Sequence, residues 1–247
     1  MDNLLKSEAF KLKKDRLFKT LILILIATAV LIPSIMYIFG TEPFRVDGLY
    51  TSILDKNHFL SKLLPCVLAG YFISSEYSLG TMKSIASSGN SRVRIYIAKL
   101  LVFTFGAIIL SVILPIAMTG IGAIYTQFNG MPDLHYFIQT IIFVMLYAAA
   151  FSSIMMVFAT IFTDSGKTIG VLFFIFLLFD PIMFVLASKS ILIEYIYNYS
   201  IFHLVYKIMM VNTMDNIEVF KLTIIPILVY LAFGVLGVSI FLKKDIK

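Results

Sequence analysis

Tryptophan is missing from this chain, cysteine occurs once, at Cys66, and Asp, Glu, Lys and Arg make up only 14% of its 247 residues. A single cysteine excludes an intrachain disulfide and any zinc or iron–sulfur site built from several thiolates. Cys66 is expected to pack as a small hydrophobe. The scarcity of charge excludes a soluble globule: at 60% hydrophobic residues and a mean hydropathy of +0.97, the chain has too little polar surface to coat one. No Gly-x-Ser-x-Gly elbow, no His-Glu-x-x-His and no pair of acids on one expected helix occurs, so no enzyme class is indicated. The formal charge of +6 needs no nucleic acid, because anionic headgroups and the bias of basic loops account for it.

What is present is a series of apolar runs. Crossing the roughly 30 Å hydrocarbon core takes about 20 apolar residues as helix, whereas the alternating segments of a barrel, about ten residues each, are not seen. The chain reads as an all-α integral membrane protein with six transmembrane helices, near 20–40, 58–75, 95–127, 134–162, 169–188 and 222–242. The third and fourth exceed what a perpendicular helix needs, so they tilt, protrude or bend, and Pro115 marks a bend point in the third. The first run follows mostly polar residues and lacks a small-residue cleavage site, so it is expected to be retained as a span.

Basic residues set the orientation, because loops rich in Lys and Arg stay on the cytoplasmic side. With both termini inside, 14 of the 20 Lys and Arg fall on inner segments, and the outer side keeps six, Arg45, Lys56, Lys62, Lys189, Lys207 and Lys221. The expected location is the cell (plasma) membrane, multi-pass, with both termini cytoplasmic. Residues 1–19 combine Leu4, Leu5, Phe10, Leu12, Leu17 and Phe18 with cations from Lys6 to Lys19. They read as a cytoplasmic amphipathic helix in the headgroup region, or more simply as a basic tail that only sets orientation. Residues 20–247 form the six-helix domain.

One block between the second and third spans, "SSEYSLGTMKSIASSGNSRVR", is polar. Tyr77, Met82 and Ile85 are spaced by small and polar residues, and Gly80 and Gly89 bracket about two helical turns. Glu76 stands at one end, with Arg92, Arg94 and Lys99 at the other. The block is either a solvated loop or a short helix that another protein grips.

Glu76, Tyr77, Ser78, Gly80, Thr81 and Lys83, then Ser88, Gly89, Ser91 and Arg92, then Lys99 opening the next span, resemble the same segment in permease subunits of ABC type-2 exporters. The resemblance implies that 76–94 forms a cytoplasmic coupling helix docking on a separate ABC ATPase, with Glu76, Tyr77, Gly80, Thr81, Lys83 and Arg92 as coupling residues. It also implies a homodimer or heterodimer with a similar permease. Within that family the small size and pattern look like the permeases of lantibiotic and bacitracin immunity transporters, which remove antimicrobial peptides from the membrane. The implied function is export of such amphipathic peptides, with related permeases moving drugs or ions. The rival is a channel or scaffold without ATP coupling.

The phosphate-loop pattern is incomplete. Gly166-Lys167-Thr168 lacks the earlier glycine, since residue 161 is Ile161, and it sits between apolar helical runs. It reads as a tight turn with Asp164 or Ser165 near a helix start. No cofactor is expected in this chain, and ATP and Mg belong on the partner ATPase.

Asp180 is the acid inside an expected span. It is either a substrate or ion contact, or the cap of a new helix beginning at Pro181; capping is favoured because both residues suit it. The span would then end early, and 181–221 would form an outer re-entrant segment whose tyrosines sit at headgroup level. His58, His135 and His203 fall near the outer ends of spans, without metal-ligand spacing. Gly120, Gly234 and Gly237 suit close helix packing.

Overall fold

The structure, a computed structural model, describes residues 2–39, 45–87 and 89–245. Ser88 of the polar block and the expected end of the first span at residue 40 lie outside the described residues. The described residues contain helices and no strand.

In chain order the helices are α1 (Asp2–Lys14), α2 (Arg16–Phe39), α3 (Val46–Ala69), a π-helical turn (Gly70–Ser74), α4 (Ser75–Ser78) and α5 (Thr81–Ser87). There follow α6 (Arg92–Tyr125), α7 (Leu134–Ile161), α8 (Ser165–Ala187), α9 (Ile191–Asn198), α10 (Ile201–Leu204), a 3-10 segment (Val205–Thr213) and α11 (Asn216–Lys243). Five of them, α2, α6, α7, α8 and α11, are long and apolar enough to cross a membrane. At 34 residues α6 is about 51 Å long, well beyond the hydrocarbon core, so it extends past it or tilts.

Burial ranks these helices. In the most apolar stretch of α7, 72% of residues are buried, against 17% in α2, α8 and α11. α7 is therefore the centre of the bundle, packed by α11, α6 and α3, while the peripheral helices turn residues such as Leu23, Phe174 and Val235 outward. In water such faces would need covering, but lipid tails cover them without cost.

The second expected span needs correcting in length. Helix α3 begins at Val46, twelve residues before the expected start, and carries Asp47, Asp55, Lys56 and Lys62, which keep it out of the five. The reason is periodicity: Val46, Leu49, Tyr50, Ile53, Leu54, Asn57 and His58 recur at helical spacing and are all buried, while Asp55 and Lys56 face away. Lys62, counted among the basic residues of the outer side, is one of the largest fully buried side chains.

Where α3 ends it is fastened on two sides. A Cβ on Gly70 would lie 2.5 Å from Ile169 Cγ1 and 2.9 Å from the Ser165 carbonyl, so only glycine allows this approach to α8. The buried Ser74 hydroxyl donates to the Ala159 carbonyl at 3.1 Å and lies 2.7 Å from the Thr168 hydroxyl. Asp164 caps α8, accepting from the Lys167 N–H at 2.8 Å, as the tight-turn reading expects. The π turn, the end of α7 and the start of α8 thus form one junction directly before α4.

Candidate coupling site

Helix α5 occupies the polar block between two glycines with left-handed backbone, Gly80 at φ 71° and Gly89 at φ 82°. Any side chain there would be strained, which is why glycine ends each turn. The helix is amphipathic: Met82 is buried and Ile85 packs on the core, while Gly80, Thr81, Lys83, Ser84 and Ser87 are exposed. Leu79, 75% exposed, stands beside them. This exposed strip is the surface the block offers.

Glu76 lies elsewhere. It is buried, and its carboxylate is shared by two lysines from different helices: Lys99 of α6, 2.5 Å away, and Lys11 of α1, in direct contact. Lys99 also reaches Glu8 of α1 at 2.6 Å, and Lys11 donates to the Phe72 carbonyl at 2.8 Å with its ammonium 4.2 Å from the Phe72 ring centre. Burial lowers the Lys11 ammonium below the usual lysine range; the Glu76 carboxylate opposes this, and Lys99 adds to it. Glu8, Glu76 and Lys99 are therefore enclosed together, with the part-exposed Lys11 at the edge, each charge compensated by a neighbour, as burial demands. A cleft of about 480 Å³ opens over the network between α1 and the polar block.

Sequence reasoning missed Glu8 and Lys11. The available signals were Glu8, an acid within a basic amphipathic helix, and Lys99, a cation inside an apolar run that needs a partner.

Tyr77 and Arg92 face the other end of the chain. The Arg92 guanidinium donates to the Leu242 and Lys244 carbonyls at 3.0 and 2.8 Å, satisfying groups at the end of α11. Lys244 lies 4.2 Å above the Tyr77 ring centre and donates to the Thr160 and Ile161 carbonyls at the end of α7. Burial pushes the Tyr77 hydroxyl pKa up and draws the Lys244 ammonium down. Of the six residues marked for coupling, Gly80, Thr81 and Lys83 are on the exposed strip; Glu76, Tyr77 and Arg92 tie the block to α1, α6, α7 and α11.

Asp180 does not cap a helix. Helix α8 runs unbroken from Ser165 to Ala187 with Pro181 inside it. Proline removes one backbone donor from the ladder, which helices in lipid tolerate when neighbours compensate. Asp180 is instead held from other elements: the Tyr197 hydroxyl donates to Oδ1 at 3.0 Å, and Lys62 Nζ lies 3.7 Å from Oδ2. The histidines also scatter. His58 is buried twelve residues into α3, between the rings of Phe59 and Tyr206, His135 is exposed, and His203 lies against Tyr197. Among the described residues no group of three His, Cys, Asp or Glu could hold a metal ion. Gly237 bears out close packing, since a Cβ there would fall 1.8 Å from the Tyr96 hydroxyl, whereas nothing lies within 4 Å at Gly120.

The family described as ABC-2 family transporter protein matches residues 4–180, from α1 through most of α8. No curated protein matches the chain. The match covers well over half of the sequence and includes the polar block together with Glu8, Lys11 and Lys99, and the chain belongs to this family of membrane transporter subunits.

Proposed function

We propose that this ABC-2 family member is the permease of an exporter driven by a separate ABC ATPase, and that it moves amphipathic peptides, of the kind removed by lantibiotic and bacitracin immunity transporters, out of the membrane. In this reading the protein has six spans, with α3 and its π turn as the second. Both termini face the cytoplasm of a plasma-membrane protein, α1 lies in the inner headgroup layer, and a second permease completes a dimer. ATP and Mg bind on the ATPase.

The observation that carries this reading is the division of labour in the polar block. Thr81, Lys83 and Leu79 face outward, while Glu76 is locked to α1 and α6 and the preceding π turn to α7 and α8. A partner pushing on α5 pushes on four helices at once. Such a device suits ATP-driven tilting of the spans and has no use in a passive pore or scaffold.

The test is gentle extraction of the full-length chain from its native membrane. A stoichiometric ATPase that leaves when Lys83→Glu is introduced supports the proposal. A wild-type chain that binds no ATPase, at unchanged thermal stability, sinks it and favours a channel or scaffold.

A further inference from the structure

Helix α1 turns its two sides to different surroundings. On one, Glu8 and Leu12 are buried and Leu4 and Leu5 pack on the core. The approach to α6 is close, since a Cβ on Gly106 would lie 3.2 Å from Leu12 Cδ2. On the other side, Lys6, Phe10, Lys13 and Lys14 follow at i, i+4, i+7 and i+8, one strip of the helix, and all four are exposed. Phe10 is 62% exposed, with the Lys14 ammonium 5.6 Å from its ring centre. The strip carries one acid, Asp2, at its far end.

This reverses the ordinary interfacial helix, which sinks its apolar stripe into the bilayer and is held by it. The apolar stripe of α1 packs on the protein, and Phe10 is the one large apolar side chain of the helix left exposed. What remains for a membrane is charge. Helix α2 starts at Arg16, and its exposed Arg16 and Lys19 stand where the span enters the bilayer, so the strip adjoins the inner headgroups. Lys6, Lys13, Lys14, Arg16 and Lys19 then meet the headgroups together, and each cation near an anionic surface strengthens attachment about fivefold. Behind the strip, the same helix holds the coupling block. Glu8 reaches Lys99 at 2.6 Å, and Lys11 contacts Glu76 and donates to the Phe72 carbonyl of the π turn at 2.8 Å.

We propose that the outer strip of α1 binds the phosphates of anionic phospholipids in the inner leaflet, and that this contact sets how firmly α1 holds Glu76 and the π turn. Phosphate oxygens accept from the three lysines, and Phe10 enters the boundary between headgroups and acyl chains. A zwitterionic headgroup brings its own cation beside the strip and binds less. Anionic lipid that fixes α1 stabilises the anchor of α5, whereas a neutral bilayer leaves α1 to its protein contacts alone. The inference rests on the placement of α1 in the inner headgroup layer, and on neither the ATPase nor the cargo.

The chain has no tryptophan, so Phe10→Trp supplies a single emitter on the strip. The full chain is placed, without ATPase, in phosphatidylcholine nanodiscs holding a minor share of brominated phosphatidylglycerol or the same share of brominated phosphatidylcholine. Quenching about threefold stronger by phosphatidylglycerol is expected, and the preference should vanish at about 1 M salt, where the screening length is about 3 Å. Lys6→Glu, Lys13→Glu and Lys14→Glu together should abolish the preference while leaving unfolding in pure phosphatidylcholine unchanged. Phosphatidylglycerol should also raise the unfolding temperature, and Glu76→Gln should cut that rise by about half or more while quenching persists. Equal quenching by the two lipids overturns the proposal and leaves α1 in the headgroup layer; no quenching by either overturns both. A rise untouched by Glu76→Gln overturns the link to the coupling block. Loss of the ATPase partnership would leave these readings unchanged, so the exporter proposal fails separately.

Discussion

Lys99 and Glu76, 23 positions apart in sequence, face each other at 2.5 Å in the interior of the protein, and Glu8 closes the other side of Lys99 at 2.6 Å. This triad, extended by Lys11, joins the first helix of the chain to the segment before α5 and to α6. Its stability consequences can be read with the protein's own reporter, because Cys66 is the sole cysteine and is fully buried. A thiol-reactive dye therefore labels the chain only as it unfolds.

Glu76→Gln leaves the buried Lys99 with Glu8 alone and takes from the part-exposed Lys11 its acidic partner. Removing one partner of a buried pair costs about 3–5 kcal/mol, so thiol labelling should begin at a clearly lower temperature. Lys99→Met together with Glu76→Gln should lose less than the two single losses added, because the partners act on each other.

Lys83 is exposed on α5, so Lys83→Glu should leave the unfolding free energy within about 0.5 kcal/mol of the parent, as surface changes do. On the proposed reading, the ATPase should no longer co-purify with the Lys83→Glu chain, and transport should be lost with it. Glu76→Gln should impair both stability and transport. A Lys83→Glu chain that transports normally would remove α5 from the docking surface.

At Gly237, α11 leaves room for the Tyr96 hydroxyl of α6 and none for a Cβ. Gly237→Ala places a methyl group where the Tyr96 hydroxyl lies, and overpacking of this kind costs about 1–3 kcal/mol. The Tyr96 hydroxyl is buried without a hydrogen-bond partner, so Tyr96→Phe should be neutral or slightly stabilising and should partly rescue Gly237→Ala. Dye-labelling curves of the four chains decide it.

Gly70→Ala drives a Cβ against the Ser165 carbonyl, a backbone atom that cannot swing away. The junction of the π turn with α8 should open, and Ser74→Ala, which loses the bonds to Ala159 and Thr168, should act in the same direction by about 1 kcal/mol. If the junction carries motion, Gly70→Ala lowers transport while ATPase binding persists. Equal loss of binding and transport would place the defect in folding.

The all-α membrane class, the ends of α6 and α7 and the start of α8 to within a few residues follow from the sequence alone, because long apolar runs and glycine positions are local properties. So does the short helix bracketed by Gly80 and Gly89, whose left-handed backbone, with no steric penalty for glycine, is seen in the structure. The family is legible in the polar block for the same reason. The length of α3 was hidden: Asp55 and Lys56 read as loop in any average over neighbours, although every third or fourth residue around them is apolar.

Only the tertiary structure decided where the buried charges go. Glu8 and Lys99 lie 91 positions apart and Lys62 and Asp180 118, and no local pattern says which helix faces turn toward each other. A charge in sequence is a cost to the apolar run that holds it. In the fold, a partner from a distant helix compensates that cost, and so Glu76 is an internal anchor and Asp180 belongs to a continuous α8.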